Sequence, residues 1–183
     1  MKIRVFTILS LLAGSMAMIS CIDDEATDEV ILANDKASIE EYLANNSIVN
    51  VKEVHDENTG LRVIWQEVSE SGVGVEAGDT LSVNYVGRLL TNQVFDTSLE
   101  DVAVDAGIYS SSRDYEPLVF PIGYNFLISG FEYGAGQMEV GDKATVFIPS
   151  LFAYGRQGSG SIPANSPIMF ELELISVTPG PVE

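Results

Sequence analysis

One cysteine and one histidine stand among the 183 residues, and the two scarcities remove whole classes of chemistry. A lone Cys21 allows no internal disulfide and no cysteine-rich metal site. His55 alone supplies neither a zinc ligand set nor a Cys–His catalytic pair, and within His55-Asp56-Glu57-Asn58-Thr59-Gly60 it reads as a turn residue. Cations are scarce too: nine Lys and Arg face 27 Asp and Glu, a formal net charge of -18. So acidic a surface repels phosphate backbones and anionic headgroups, whose binding needs clustered Lys and Arg, so nucleic acid is not an expected partner. No apolar run reaches the ~20 residues of a permanent membrane-spanning helix.

What is present suits one compact domain. Hydrophobic residues make up 46% of the chain and charged residues 20%, enough apolar surface to bury a core and too little charge for general disorder. Lys2 and Arg4 precede an uncharged stretch from Val5 to Ser20, the build of a secretory signal over residues 1–20. The stretch ends Met18-Ile19-Ser20-Cys21, which resembles a lipobox with Met in place of the usual Leu. Cys21 is then the lipidated first residue of the mature protein, and its acyl chains are the membrane anchor. The expected location is the bacterial cell envelope, at the outer membrane. Residues 21–34 follow as an acidic tether with no need of a fold.

Asp35 can cap a helix, and Ile39, Tyr42 and Leu43 recur at helical spacing up to Asn45-Asn46. Such a helix must dock on the domain or on another copy. Val51 to Val68 alternates around the His55–Gly60 turn, with Leu61, Val63 and Trp65 on one face, which predicts a hairpin. Residues 35–70 thus form a helix-and-hairpin extension, and 71–183 the main domain. Within it Leu81, Val83 and Tyr85 alternate, then Leu118, Phe120 and Ile122, then Ala144, Val146 and Ile148, and last Ile168, Phe170, Leu172 and Leu174. Ser98 with Leu99-Glu100-Asp101 has the pattern of a capping box, opening a short helix that Gly107 ends. Short strands with little helix predict a mainly antiparallel α+β fold.

Periodicity goes no further, but motifs do. Asn84-Tyr85-Val86-Gly87-Arg88-Leu89, Val94-Phe95-Asp96 and Gly134-Ala135-Gly136-Gln137-Met138 occur in order, followed by Val140-Gly141. Pro149, Ala153-Tyr154-Gly155, Ile162-Pro163-Ala164-Asn165 and Phe170-Glu171-Leu172-Glu173-Leu174 complete the set. From about Thr80 to Val177 the chain resembles an FKBP-type peptidyl-prolyl cis-trans isomerase, here in a bacterial lipoprotein form. The resemblance implies a curved antiparallel sheet of about five strands wrapped over one short helix near Ser129 to Ala135. Gly130 and Gly134 make that helix poor by propensity. It implies no cofactor and no metal. It also implies that Tyr85, Phe95, Asp96 and Tyr154 are the catalytic set, with Leu118, Leu127, Ile128, Phe131, Ile162 and Phe170 lining the substrate pocket. The Ile128 N–H and the Tyr154 hydroxyl would hold substrate carbonyls, and Asp96 would orient a neighbouring side chain.

That inventory suits the reaction on independent grounds. Rotating an X-Pro amide needs no nucleophile, only a dry pocket that favours the twisted form and one or two donors for the carbonyls. The expected partners are proline-containing polypeptides of the exported proteome, with macrolide inhibitors a further ligand class. The alternative is a catalytically weak peptide-binding or assembly module on the same fold. Two departures bear on that choice: Phe131 stands where the best-known members have Trp, and Leu118 where an aromatic is usual. A third departure is the insert at 99–116, about a dozen residues beyond the compact members, expected to form a small ordered lobe walling the groove. The glycine-rich Arg156–Ser161 loop is expected to be mobile.

Overall fold

The computed structural model describes residues 27–181. Cys21, the signal segment and the start of the tether lie outside the described residues. The elements, in chain order, are α1 (Asp28–Asn45), β1 (Lys52–His55), β2 (Arg62–Glu67), β3 (Thr80–Leu89), β4 (Val94–Thr97) and α2 (Glu100–Asp105). Next come β5 (Leu118–Pro121), α3 (Ser129–Ala135), β6 (Lys143–Ile148), a 3-10 turn (Ser150–Phe152) and β7 (Ile168–Thr178).

All seven strands join one antiparallel sheet, in the order β1-β2-β6-β7-β3-β4. Strand β5 shares with β4 the outer edge of β3, pairing with its first half while β4 pairs with its second. Leu81, Val83 and Tyr85 turn one way along β3 and are buried, as the alternation predicts. They meet Val63, Trp65, Phe120, Phe131, Val146 and Leu174 in the main core. The sheet closes over α3, whose two glycines are there for proximity and not in spite of propensity. A Cβ at Gly130 would stand 2.3 Å from Ile148 Cγ2, and one at Gly134 2.3 Å from Val146 Cγ2, so only glycine lets the helix lie this close to β6.

Three expectations need correction. The hairpin at 52–67 is not an extension beside a domain beginning at residue 71: β2 pairs with β6 from Arg62↔Phe147 to Glu67↔Lys143. Val63 and Trp65 are fully buried in the shared core, so the strand count rises from about five to seven. Ser98 caps no helix. Its hydroxyl accepts from the Tyr85 N–H at 2.9 Å and latches β4 to β3, while α2 begins after Leu99 without a side-chain cap.

The third correction concerns α1, which starts at Asp28 under the Thr27 side chain, so residues 28–34 of the expected tether are helical. Asp35 is not its cap but lies mid-helix at 2% exposure, in line with buried Ile31 and Ile39. A strong N-cap residue type in an apolar stripe hides the first two turns from a periodicity reading. The helix packs on its own chain, across the outer face of the sheet. Ile39 joins Ile64, Phe147 and Met169, and Tyr42 meets Phe147 with ring centres 5.7 Å apart. Lys36 Nζ donates to the Glu57 and Asn58 carbonyls at 2.6 and 3.0 Å, and Glu40 pairs with Arg62.

Asp142 ties the hairpin to the rest. Its carboxylate, 1% exposed, accepts from the Trp65 indole N–H at 2.9 Å, the Ser69 N–H at 2.8 Å and the Glu139 N–H at 2.9 Å. Burial alone would push its pKa up, but these donors outweigh it and hold the carboxyl below its usual value. A carboxylate depressed on folding stabilises above its unfolded pKa, and the contribution is lost as pH falls through the folded one. Asp142→Ala strands three donors and is expected to cost on the order of 3 kcal/mol at pH 7, and less at pH 3. Urea denaturation at the two pH values checks this.

Candidate functional site

The site forms where β3, β4, β7 and α3 converge, and it depends on a missing side chain. A Cβ at Gly87 would lie 2.5 Å from Phe95 Cε2 and 2.8 Å from Phe170 Cε1. Glycine there lets Phe95 lean across β3 onto Phe170, edge to face at 5.5 Å and 90°. Phe170 is the hub: it also meets Tyr85 at 5.9 Å and Phe131 at 5.0 Å, both edge to face. Tyr154 stands against the other side of Phe95, at 6.4 Å and 88°.

Of the ten residues singled out by resemblance, Tyr85, Phe95, Asp96, Phe131, Tyr154 and Phe170 are joined here by ring contacts and hydrogen bonds, while Leu118, Leu127, Ile128 and Ile162 belong to or pack on the same core. Tyr85, Phe131, Ile162 and Phe170 are buried and make a floor. Phe95, Asp96, Leu118, Leu127, Ile128 and Tyr154 are half-buried. Glu132 of α3 fixes the wall carrying Leu127, its carboxylate accepting from the Gly123 and Leu127 N–H groups at 3.1 and 3.2 Å. The segment between them presents Tyr124 and Phe126 to solvent, 61% and 68% exposed.

A polar network edges the floor. The Tyr85 hydroxyl donates to Asp96 Oδ2 at 2.7 Å and accepts from Arg113 Nη2 at 2.8 Å, while Arg113 Nη1 pairs with Asp96 Oδ1. Asp96 therefore orients both Tyr85 and Arg113. Sequence reasoning missed Arg113, although the signal was there: a cation inside an insert beside Asp96, in a chain with nine basic residues. The insert is ordered by α2 and by Tyr109 stacked on Tyr115 at 5.7 Å and 13°, with the Arg113 guanidinium 5.3 Å from the Tyr115 ring centre. The glycine-rich loop is cross-tied, not open: the Gly158 N–H donates to the Tyr154 carbonyl at 3.2 Å, and Ser159 and Ile162 exchange backbone hydrogen bonds.

Burial raises the Tyr85 pKa to about 12; the hydrogen bond to Asp96 and its charge add to the rise, and Arg113 opposes it. Tyr154 is also pushed up, by burial and then by the Asp96 charge. Both hydroxyls keep their protons at neutral pH. The Tyr85 proton is engaged, whereas the Tyr154 hydroxyl has no hydrogen-bond partner among the described residues and is free to donate. The Ile128 N–H likewise finds no acceptor among them. A free Tyr154 hydroxyl beside the Phe95 ring and a free backbone N–H at Ile128 are donors of the kind that can polarise carbonyls next to a compact apolar ring.

Comparison with known proteins gives the family and the fold. Residues 72–175 match the model of a family described as FKBP-type peptidyl-prolyl cis-trans isomerase. The FKBP-type peptidyl-prolyl cis-trans isomerase FkpA of Aeromonas hydrophila is 35% identical over 163 residues, 88% of this chain and 53% of that protein. FK506-binding protein 2 of Dictyostelium discoideum is 38% identical over 109 residues, 59% of this chain and 72% of that protein. A crystal structure of a peptidyl-prolyl cis-trans isomerase from Pseudomonas syringae pv. tomato str. DC3000 superposes with a TM-score of 0.59 at 28% identity, covering 85% of this chain and 98% of that one. The chain spans about half the length of the Aeromonas relative.

A tyrosine whose pKa rises on folding stabilises fully below its unfolded pKa of about 10, and the contribution is lost as pH climbs through the folded value. For Tyr85 the difference of roughly two units corresponds to on the order of 2–3 kcal/mol. Tyr85→Phe is expected to lack this share of the alkaline loss, so its stability gap to wild type narrows between pH 9 and pH 12 in urea titrations.

Proposed function

The chain belongs to the FKBP-type peptidyl-prolyl cis-trans isomerase family, and from that premise we propose that it catalyses cis-trans isomerisation of X-Pro bonds in exported polypeptides. The observation that carries the reading is the aromatic cluster of Tyr85, Phe131 and Phe170, together with a Tyr154 hydroxyl and an Ile128 N–H that find no hydrogen-bond partner among the described residues. Rotation about a peptide bond faces a barrier of ~18–20 kcal/mol, and unaided X-Pro isomerisation takes tens to hundreds of seconds. Water favours the planar, polar amide over the twisted one, so moving the proline onto an aromatic floor lowers the barrier. The Tyr154 hydroxyl and the Ile128 N–H hold the flanking carbonyls in the twisted geometry. Asp96 and Arg113 keep Tyr85 in place, its hydroxyl turned to the rim and its ring under the substrate.

Relatives named for binding FK506 support macrolides as competing ligands for the same pocket. Phe131 presents a smaller face than Trp and no indole N–H, so macrolide affinity falls below that of Trp-floored members. The signal and lipobox reading supports export with Cys21 as the lipid anchor. Clients are then polypeptides folding at the envelope.

The test is the cis-to-trans rate of a Leu-Pro-Phe peptide with the protein carrying Cys21→Ser. Wild-type pocket residues are expected to accelerate it, and Tyr154→Phe and Asp96→Ala each to lower kcat/KM by about tenfold. A folded protein that binds the peptide without accelerating it would instead be a binding module. For the anchor, protein with Cys21 intact is expected in the membrane fraction of an expressing bacterium and the Cys21→Ser form in the soluble fraction; equal partitioning of both would overturn it.

A further inference from the structure

We propose that Asp35, in the N-terminal helix, is a positioning residue of the isomerase site and acts on Tyr154 through Ser150. The proposal rests on the reading of Tyr154 as a carbonyl donor. Tyr154 follows the 3-10 turn Ser150–Phe152, and the backbone on both sides of it hangs from one atom. The Ser150 carbonyl accepts from the Ala153 N–H at 3.0 Å and from the Gly155 N–H at 2.8 Å. The orientation of Ser150 therefore sets where Tyr154 leaves the chain.

Ser150 is in turn held from a site 115 residues away in sequence. Its N–H and its hydroxyl both donate to Asp35 Oδ2, at 2.7 and 2.6 Å. Ser150 is fully buried and Asp35 is 2% exposed, so water does not compete for either group. A carboxylate so placed is costly to desolvate, and an apolar residue between Ile31 and Ile39 would serve helix docking better. What the apolar residue could not supply is one oxygen accepting two donors that fix the turn. A second tie lies just beyond Tyr154: Arg156 Nη2 donates to Asp28 Oδ1 at 2.7 Å. That pair is exposed and contributes little by itself, but it sets the far side of Tyr154 on the same helix. Helix α1 thus grips the chain before and after the residue that the site needs free at its hydroxyl and fixed at its backbone.

The experiment compares Asp35→Ala, Asp35→Asn and Ile39→Ala in the Cys21→Ser protein. It reads kcat and KM on the Leu-Pro-Phe peptide, stability in urea, and amide exchange at Ala153 and Gly155. Ile39→Ala removes apolar docking of the same helix without touching Ser150. Under conditions where all are folded, Asp35→Ala is expected to lower kcat/KM by about ten- to a hundredfold, the scale that misplacing a catalytic group brings. Asp35→Asn keeps an acceptor oxygen and is expected within about twofold of wild type, as is Ile39→Ala despite its lower stability. Exchange at Ala153 and Gly155 is expected to quicken in Asp35→Ala alone. Should Asp35→Ala not fold, Ser150→Ala replaces it, with a smaller loss of the same kind. Wild-type kcat/KM in the folded variant, or an equal loss in Ile39→Ala, would overturn the proposal. If the wild type proves inactive, the functional reading fails instead, and the exchange pattern alone decides whether Asp35 holds the Tyr154 segment.

Discussion

Strand β3 pairs with β7 along its whole length, from Thr80↔Thr178 to Leu89↔Ile168, and this register sets Gly87 opposite Phe170 and Tyr85 opposite Leu172. A slip of one residue would turn Phe170 and Tyr85 to the outer face, emptying the floor. Because the outer edge of β3 is divided between β4 and β5, the same strand also fixes Phe95 and Asp96 on one side and Leu118 on the other. Floor and walls are therefore consequences of one pairing. The glycine at the crossing permits the aromatic contact that the pairing brings within reach.

Electrostatics at the rim follow from scarcity. In a chain of net charge -18, a carboxylate beside an apolar floor finds few cations, and Asp96 obtains Arg113 only because the insert folds back over the groove. The pair does more than neutralise charge. Asp96 accepts a hydrogen bond from the Tyr85 hydroxyl and Arg113 donates one to its oxygen, so Tyr85 is satisfied inside the protein, whereas the Tyr154 hydroxyl has no partner among the described residues. Two tyrosines of similar chemistry are thus left in different hydrogen-bonding states by their partners.

The legible part of the fold was the part governed by period-two burial. Strands such as β3 and β7 bury one face, and their alternating residues were readable without any family. The candidate site residues came from motif order alone, since no local rule separates Phe170 from a core residue such as Phe147. What could not be read was tertiary partnership. The pairing of β2 with β6 links residues about 80 apart, and nothing within Arg62–Glu67 announces its partner. Asp35 looked like a cap because capping is the common use of aspartate near a helix start, and only Ser150 shows another use. Gly130 and Gly134 looked like a weakness until Ile148 and Val146 were seen against them.

These partnerships share a direction. Strands β3 to β7 and helix α3 carry the aromatic cluster, while the insert and α1 reach residues around it. The insert delivers Arg113 to the Tyr85–Asp96 side, and α1 delivers Asp35 and Asp28 to the segments flanking Tyr154. Arg113 binds the Tyr85 hydroxyl and its partner Asp96, and Asp35 holds the backbone ahead of Tyr154, so both tie the aromatic cluster to further elements of the chain. On the proposed reading no bond to the substrate is made and one geometry is held in preference to another, so rigidity at Tyr154 and Tyr85 would itself be a functional quantity.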